Sequence, residues 1–344
     1  MTPDTNTSPK ARCAVIILNW NGAALLRRYL PYVVENTGTV GRVIVADNGS
    51  TDNSLEVLRH EFPAVEVWAF SENYGYAGGY NRCLKMAGER GYEYSVLLNS
   101  DVETPDGWLE PLIDFLDAHS GVAAVQPKII SDKERDTFEY AGASGGFIDC
   151  HGFPYCRGRI LGTCEKDHGQ YDNPIPVFWA TGAALTVRTK AYLEVGGLDE
   201  RFFAHMEEID LCWRLLLAGY GIYAVPSSTV YHLGGGSLPA SNPRKTYLNF
   251  RNNLLLLHKN LPDSTRRRKL FVRRLLDTVA FVKFALTLDT ANARAVLRAH
   301  RDFRRMRTAY TTHPDTDLLD NRTDTCHNIL TAYYLRHRRR FSQL

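Results

Sequence analysis

No stretch of this sequence reaches the roughly 18 uninterrupted apolar residues that a membrane-spanning helix needs. The nearest run, 275–288, is shorter and is broken by Asp277 and Lys283. The first ten residues are polar and hold no apolar core of the kind a signal peptide carries. Seven cysteines form no C-x-x-C pair, and most sit inside apolar patterns, as reduced buried thiols do. A cytoplasmic protein is the expectation. No segment repeats, which sets aside solenoids, and no G-x-G-x-x-G occurs, so a glycine-rich phosphate loop must be sought elsewhere.

What is present is an ordinary globular composition, with 44% hydrophobic and 23% charged residues. A chain of 344 residues suits one large domain with an appendage, or two modest domains. The net charge of +3 hides an asymmetry: from Arg244 onward there are 22 Lys/Arg against 8 Asp/Glu. The first 243 residues hold 19 against 30. An acidic body with a basic tail points the tail at an anionic surface. Nucleic acid is not the expected partner, because no helix-turn-helix or aromatic RNA platform accompanies the charge.

The first 130 residues alternate apolar runs with helical periodicity. Strands are expected at 14–20, 42–47, 65–70 and 94–98, and helices at 23–36, up to Phe62, 76–90 and 104–119. Ser50 or Thr51 is the expected cap of the second helix; Thr104 and Pro105 are expected to open the fourth. This order requires crossover connections, hence an α/β fold with a mostly parallel sheet and helices on both faces. Ligands then bind beyond the carboxyl ends of the strands. Polar clusters fall at those ends: Asn19-Trp20-Asn21, Asp47-Asn48 and Asn99-Ser100-Asp101. Residues 131–176 lose the pattern, too long for a bland connection, and read as a functional insertion. Regularity returns at VFWATGAALTVR (177–188) as a bent strand, at 207–220 as a helix, and at IYAVP and TVYH (222–232) as short strands. After Pro243 the chain reads as helices.

Three constellations carry chemistry. LLNSDVE (97–103) ends a buried strand in Asn99, Asp101 and Glu103, hard ligands suited to Mg2+ or Mn2+ on a substrate phosphate. An Asx-turn before a helix explains the same spacing. In VYHLGGGS, His232 ends a strand aimed at the same sheet edge, and Gly234 to Ser237 could bring backbone N–H groups to an anion. A structural histidine is the competing reading. In HMEEIDLCWRL, Glu207 and Glu208 open a helix, either as complements to its dipole or as a proton acceptor for a substrate hydroxyl. Asp210 and Arg214, four apart, read as a structural pair.

Together NWNG, VADNGSTDNS, ENYGYAGGYNR, LLNSDVE, FWATGAALTVR, GGLDERFFAHMEEIDLCWRL and YHLGGGS resemble the bacterial family 2 glycosyltransferases, most nearly the rhamnosyltransferase-like members, over about 12–260. The resemblance implies a GT-A fold and inverting transfer of one sugar from a nucleotide-diphosphate donor (dTDP- or UDP-linked) to a glycan or lipid-linked acceptor of cell-surface polysaccharide. It implies that Asn19, Trp20 and Asn21 lie beside the nucleotide and that Asp47 accepts from the pyrimidine N3–H. Asn73, Gly78 and Asn81 would border the ribose and donor sugar. Asn99-Ser100-Asp101 stands where the family has two aspartates around one residue; Asp101 and His232 would carry the metal, with Asn99 assisting. Trp179 would stack on acceptor sugar. Glu208 would be the base, in a Glu-Glu pair where the family has Glu-Asp, with Glu207 the alternative.

The expected organisation is a GT-A domain over 1–242, with 131–176 as an acceptor-side insertion, and a basic helical region over 243–344. The insertion's Cys150, His151, Cys156, Cys164 and His168 match no common structural zinc spacing. Asp149, Arg157, Arg159 and Tyr171 are its expected acceptor contacts. No QxxRW stretch is present, so single-sugar addition is expected rather than processive synthesis. Arg266, Arg267, Arg268, Lys269, Arg273 and Arg274, interleaved with Leu270, Phe271, Val272, Leu275 and Leu276, read as a basic interfacial helix for the cytoplasmic membrane face within 261–288. A homodimer interface is the alternative use. A sugar nucleotidyltransferase would want a basic Gly-rich first loop where this chain has NWNGAALL. A non-catalytic carbohydrate-binding homologue would have lost the acids or His232.

Overall fold

A computed structural model describes residues 11–234 and 242–344. Apolar runs form β1 (Cys13–Asn19), β2 (Gly41–Asp47), β3 (Glu66–Ala69) and β4 (Tyr94–Leu98). Between them lie α1 (Ala23–Asn36), α2 (Ser54–Glu61) and α3 (Gly75–Glu89). β1 pairs in parallel with β2 and β4, and β2 with β3. Side chains alternate across this sheet. Ala14 and Ile16 pack toward Tyr80, Cys83 and Leu84 of α3. Val15 and Ile17 face Leu26, Leu30 and Val33 of α1 on the other side. Helices therefore cover both faces, as the order of elements requires.

The chain continues through β5 (Val102–Glu103), α4 (Glu110–Ala118) and β6 (Val122–Ser131). A small antiparallel sheet follows, of β7 (Gly146–Ile148), β8 (Pro154–Cys156), β9 (Arg159–Ile160) and β10 (Thr163–Cys164). Then come β11 (Ile175–Pro176), β12 (Ala184–Arg188), α5 (Thr189–Glu194), α6 (Glu207–Leu217) and β13 (Gly221–His232). Three helices form the C-terminal region: α7 (Pro243–Asn260), α8 (Asp263–Leu286) and α9 (Thr290–Met306). The main sheet runs β11-β13-β6-β12-β4-β1-β2-β3, with β5 paired to β13. β12 is antiparallel to both β4 and β6.

Several boundaries differ from expectation. Thr104 and Pro105 do not open a helix: α4 starts at Glu110, after a turn in which Gly107 takes a φ of +67°. Strand β5 fills the place instead, because Val102 and Glu103 find a ladder on β13. Neither Ser50 nor Thr51 caps α2; Asp52 Oδ1 accepts from Ser54 N, and Asn53 is the flanking residue. The two short strands after 221 are one, β13, whose register slips between Ala224 and Thr229, where Pro226 has no N–H to give the ladder. Of 177–188 only the last five residues are strand.

Candidate active site

At the carboxyl ends of β1 and β2 the polar residues bond one another. Asn19 Nδ2 donates to Asp47 Oδ2 at 3.0 Å and lies 3.3 Å from Ser50 Oγ; Ser50 N donates to Asp47 Oδ1 at 3.0 Å. Asn21, at a φ of 50°, accepts on Oδ1 from Thr51 N at 2.7 Å. Asp47 is thus buried and organises a turn, each of its oxygens accepting one bond within the protein. Trp20, 56% exposed, is the broad surface this end presents. Next to it Asn48 Nδ2 donates to Asn73 Oδ1 at 3.0 Å, and Asn48 Oδ1 accepts from Tyr74 N. Asn73 is exposed.

Gly78 and Asn81 of α3 do not border open space, and both expectations are corrected. A side chain at Gly78 would meet Tyr74 Cβ at 3.2 Å and the Glu200 carboxyl carbon at 3.4 Å. Asn81 is consumed internally: Oδ1 accepts from Tyr192 Oη at 2.7 Å and Leu198 N at 2.9 Å, and Nδ2 donates to Leu198 O at 2.9 Å.

The end of β4 is different. Asn99, Ser100 and Asp101 form a half-buried turn, and Asn99 N donates to Ala183 O at 3.0 Å. β5 then pairs with β13, setting His232 opposite Val102, and Leu233 N donates to Asp101 O at 3.0 Å. The pairing brings together two residues 131 positions apart: His232 Nε2 lies 3.1 Å from Asp101 Oδ1. Behind the ring, Nδ1 stands 3.3 Å from Glu139 Oε2. Burial works to lower the His232 pKa, but the carboxylates of Asp101 and Glu139 on either side of the ring outweigh it and raise it to about 10. Glu139 was not anticipated from the sequence. Glu103, by contrast, is taken by Arg135, whose Nη1 and Nη2 bond its two oxygens at 2.8 and 2.7 Å. Gly234 takes a φ of +61°, and Gly235, Gly236 and Ser237 lie outside the described residues.

A carboxylate and an imidazole facing each other, with a second carboxylate behind the imidazole, make a donor set that fits a hard divalent ion. Glu139 would hold Nδ1 protonated and leave the Nε2 lone pair toward the ion. Among the described residues no group of three or more His, Cys, Asp or Glu could hold a metal on its own. Two protein ligands suit an ion that completes its shell with water and substrate phosphate.

The acid pair connects to this end of the sheet through the 180–183 turn. Thr181 Oγ1 donates to Ala141 O, and Ala141 N to Glu139 Oε2, so the 180–183 turn is tied to the histidine's support. A side chain at Gly182 would meet Glu208 Cβ at 3.8 Å, and Tyr76 Oη donates to Gly182 O at 2.8 Å. Glu207 is buried and Glu208 nearly so, and each keeps an Oε2 with no hydrogen-bond partner. Burial pushes the Glu208 carboxyl up to about 7, and burial with the neighbouring Glu208 charge drives Glu207 well above the carboxylate range. A carboxylate near 7 is suited to accepting a proton at neutral pH.

The loop that delivers these acids is strained: Phe203, His205 and Met206 all have φ between 66° and 74°. Non-glycine residues persist there only when neighbours hold them, at a cost on the order of 1–3 kcal/mol each. Asn252 of α7 is the clasp, its Nδ2 lying 2.9, 2.8 and 2.7 Å from the carbonyls of Phe202, Ala204 and His205. Asp210 is structural as expected: Arg214, Lys259 and Asn260 all bond it.

Trp179 is a correction. It is 4% exposed, its Nε1 donates to Phe147 O at 2.8 Å, and its ring lies where a Gly146 side chain would have to go. No face is open for a sugar. Asp149, Arg157 and Arg159 are also buried: Asp149 accepts from His151, Phe153 and Ile329 N–H groups, Arg157 donates to Ser144, Tyr171 and Asn173 carbonyls, and Arg159 to Cys156 Sγ. They hold the insertion together, not a ligand.

The glycosyl transferase family 2 model matches residues 14–169. Over 231 residues the chain is 29% identical to the N-acetylglucosaminyl-diphospho-decaprenol L-rhamnosyltransferase of Mycobacterium tuberculosis (strain ATCC 25618 / H37Rv), covering 63% of this chain and 75% of that one. It is 26% identical over 307 residues to the succinoglycan biosynthesis protein ExoA of Rhizobium meliloti, covering 86% and 83%. The fold matches S. aureus TarS 1–349 with a TM-score of 0.55 at 16% identity, covering 85% of this chain and 80% of that one. It matches GalNAc-T7, solved with UDP, GalNAc and Mn2+, with a TM-score of 0.56 at 15% identity; 75% of this chain spans only 49% of that one.

Proposed function

We propose, for a chain that is a rhamnosyltransferase-like glycosyltransferase of family 2 with the GT-A fold, an inverting transfer of one sugar from a nucleoside diphosphate to a glycan or lipid-linked acceptor. The donor class is a dTDP- or UDP-sugar, with rhamnose the first sugar to try. The observation that carries this is the joining of Asp101 and His232, with Glu139 behind and tied through Ala141 and Thr181 to the turn that packs on Glu208.

Each group has a task. A sugar hydroxyl is a poor nucleophile; Glu208 takes its proton as the oxygen attacks the anomeric carbon. The leaving diphosphate gains charge on the opposite side, so one displacement inverts the centre. Asp101 and His232 would hold Mg2+ or Mn2+, which neutralises charge on the departing phosphate when bound. Trp20 offers the nucleoside a flat face, and Asn73 stands beside it. Tyr76 and the burial around Glu207 keep water from the base.

The experiment is a donor screen: the full chain with Mn2+ and a panel of nucleotide sugars, reading nucleoside diphosphate by mass spectrometry. Release from one donor supports transfer. Pyrophosphate release from a nucleoside triphosphate would favour a nucleotidyltransferase, and binding without turnover a non-catalytic homologue.

The membrane reading sharpens as well. Among the described residues no helix is long and apolar enough to cross a bilayer. On α8, however, Phe271, Leu275, Val279, Val282 and Leu286 are all exposed and fall on one helical stripe. The cations differ from expectation. Lys269 is bound to Asp320 at 2.6 Å and Arg273 to Asp277 at 2.8 Å, while Arg267, Arg268 and Lys283 stay exposed. An apolar stripe flanked by exposed cations, of which Arg268 also reaches Asp320 at 3.4 Å, suits the cytoplasmic membrane face. Substituting Phe271, Leu275 and Val279 with Ser should abolish co-sedimentation with anionic vesicles; unchanged sedimentation with loss of a dimer in light scattering would assign the stripe to a second copy.

A further inference from the structure

An open cleft of about 640 Å3 lies between α7 and α9. Arg244, Arg251, Arg294 and Arg298 line it, together with Phe203 and Tyr247. Among the described residues Asp302 is the one carboxylate paired with any of these four, at 3.6 Å from Arg298 Nε. That carboxylate is shared with Tyr247 Oη at 2.9 Å and Arg301 at 3.2 Å. Arg251 is held rigidly: Nη2 donates to Phe202 O at 2.7 Å and Nε to Asn252 Oδ1 at 2.8 Å. Its guanidinium and that of Arg298 both lie over the Tyr247 ring, at 5.2 and 4.8 Å. Arg244 lies 5.3 Å from the Phe203 ring. Arg251 spends its Nε, Nη1 and Nη2 mainly on the protein and adds positive charge. Arg244, Arg294 and Arg298 offer the cavity guanidinium forks that suit phosphate oxygens, and like charges gathered there repel one another unless an anion joins them.

Location narrows the choice of anion. Phe203 is 48% exposed, forms one wall, and reaches to 3.9 Å from the Cβ position of Gly75, at the start of α3. Four residues after it stands Glu207. The cleft therefore abuts the loop that carries the acid pair, and α7, which supplies Arg244 and Arg251, also clasps that loop through Asn252. The apolar stripe of α8 lies on the helix packed beside α9.

We propose that this cleft binds the diphosphate of a lipid-linked acceptor, so that the sugar attached to it is presented to Glu208. The proposal rests on the sugar-transfer reading and names where that acceptor's charge is read. A prenyl diphosphate, free pyrophosphate and an anionic phospholipid headgroup share the chemistry, and the test separates them.

Binding of geranyl diphosphate to the full chain is measured by calorimetry without divalent metal and in an Asp101→Ala background, which blinds the donor side. Geranyl diphosphate should bind, geraniol should not, and inorganic pyrophosphate should compete. Arg294→Gln/Arg298→Gln, both at exposed positions, should weaken geranyl diphosphate at least tenfold. Arg267→Gln/Arg268→Gln, an equal loss of charge on α8, should leave it unchanged. Equal affinity in the cleft variant, an equal drop in the α8 control, or a cleft variant that loses only anionic vesicles would each overturn the proposal. Because no sugar donor is used, these results stand whether or not the donor screen finds turnover.

Discussion

The two polar strand ends of this sheet behave in opposite ways. Beyond β1 and β2, Asn19, Asn21, Asp47 and Ser50 bond one another, and what stays buried without a partner there is a neutral amide oxygen, Asn19 Oδ1. Beyond β4, Asp101 and His232 meet across a two-residue ladder, and Glu207 and Glu208 keep buried oxygens without partners. The first end shapes and the second stores unspent charge. Unpartnered buried acids are costly, so they stay where a reaction uses them.

The sharpest way to break that contrast is Asp101→Ala. Transfer should fall by at least about a thousandfold, as expected when a metal's several kcal/mol of charge stabilisation is lost. Calorimetry should show nucleoside diphosphate binding that no longer responds to Mn2+; chelating the metal from the parent protein should do the same. Undiminished turnover in chelator would end the account.

Glu208→Gln comes next. It should lower kcat by roughly 10² to 10⁴ while donor affinity holds, the range typical of a lost general base. In the parent, kcat should climb with pH through about 7 and then level, since only the ionised Glu208 accepts a proton. Stability should run the other way. The folded chain holds that proton more tightly than the unfolded chain, so stability falls as pH rises toward and past 7. Glu208→Gln should therefore raise Tm at pH 8, with most of the gain gone at pH 5. Wild-type kcat in this variant would move the base to Glu207.

Asn252→Ala should cost about tenfold in kcat with a fall in Tm, because three left-handed residues lose the clasp that a loop under ~1–3 kcal/mol of strain per residue requires. The smallest effect on transfer belongs to Asn19→Ala. It uncovers a buried Asp47 oxygen and should destabilise the fold by about 1–3 kcal/mol in chemical denaturation, with Mn2+ dependence intact. A larger loss of catalysis than of stability there would erase the distinction between the two ends.

Much of the fold was legible because it rests on periodicity. β1, α1, β2 and α3 fall within a residue or so of their expected limits, since each is a run whose apolar spacing matches one period only. What the sequence hid depended on partners far along the chain. Thr104-Pro105 has a good local signal for a helix start, but β13 offers Val102 and Glu103 a ladder that local pattern cannot register. The same pairing sets His232 beside Asp101: the strand pattern aimed both at one sheet edge, and the family resemblance put them on one metal. Trp179 and Arg157 misled for a related reason. An aromatic or a cation in an irregular stretch reads as a contact for ligand, whereas here each is enclosed and fully bonded to backbone carbonyls. Glu139 carried no signal at all: one glutamate in a loop gains meaning only when a histidine turns up behind it.

The clasp between Asn252 and the Phe202–His205 carbonyls also dictates an order of events during synthesis. The segment bearing Glu207 leaves the ribosome some fifty residues before its fastener, and the 149–153 turn precedes the Ile329 amide that completes it by 180 positions. A nascent chain halted before α7 can raise the central strands, yet it cannot fasten the loop that leads to Glu207 and Glu208. On the role proposed for Glu208, transfer would be withheld until the polypeptide is nearly whole, and a ribosome-stalled fragment with a complete sheet should be inert.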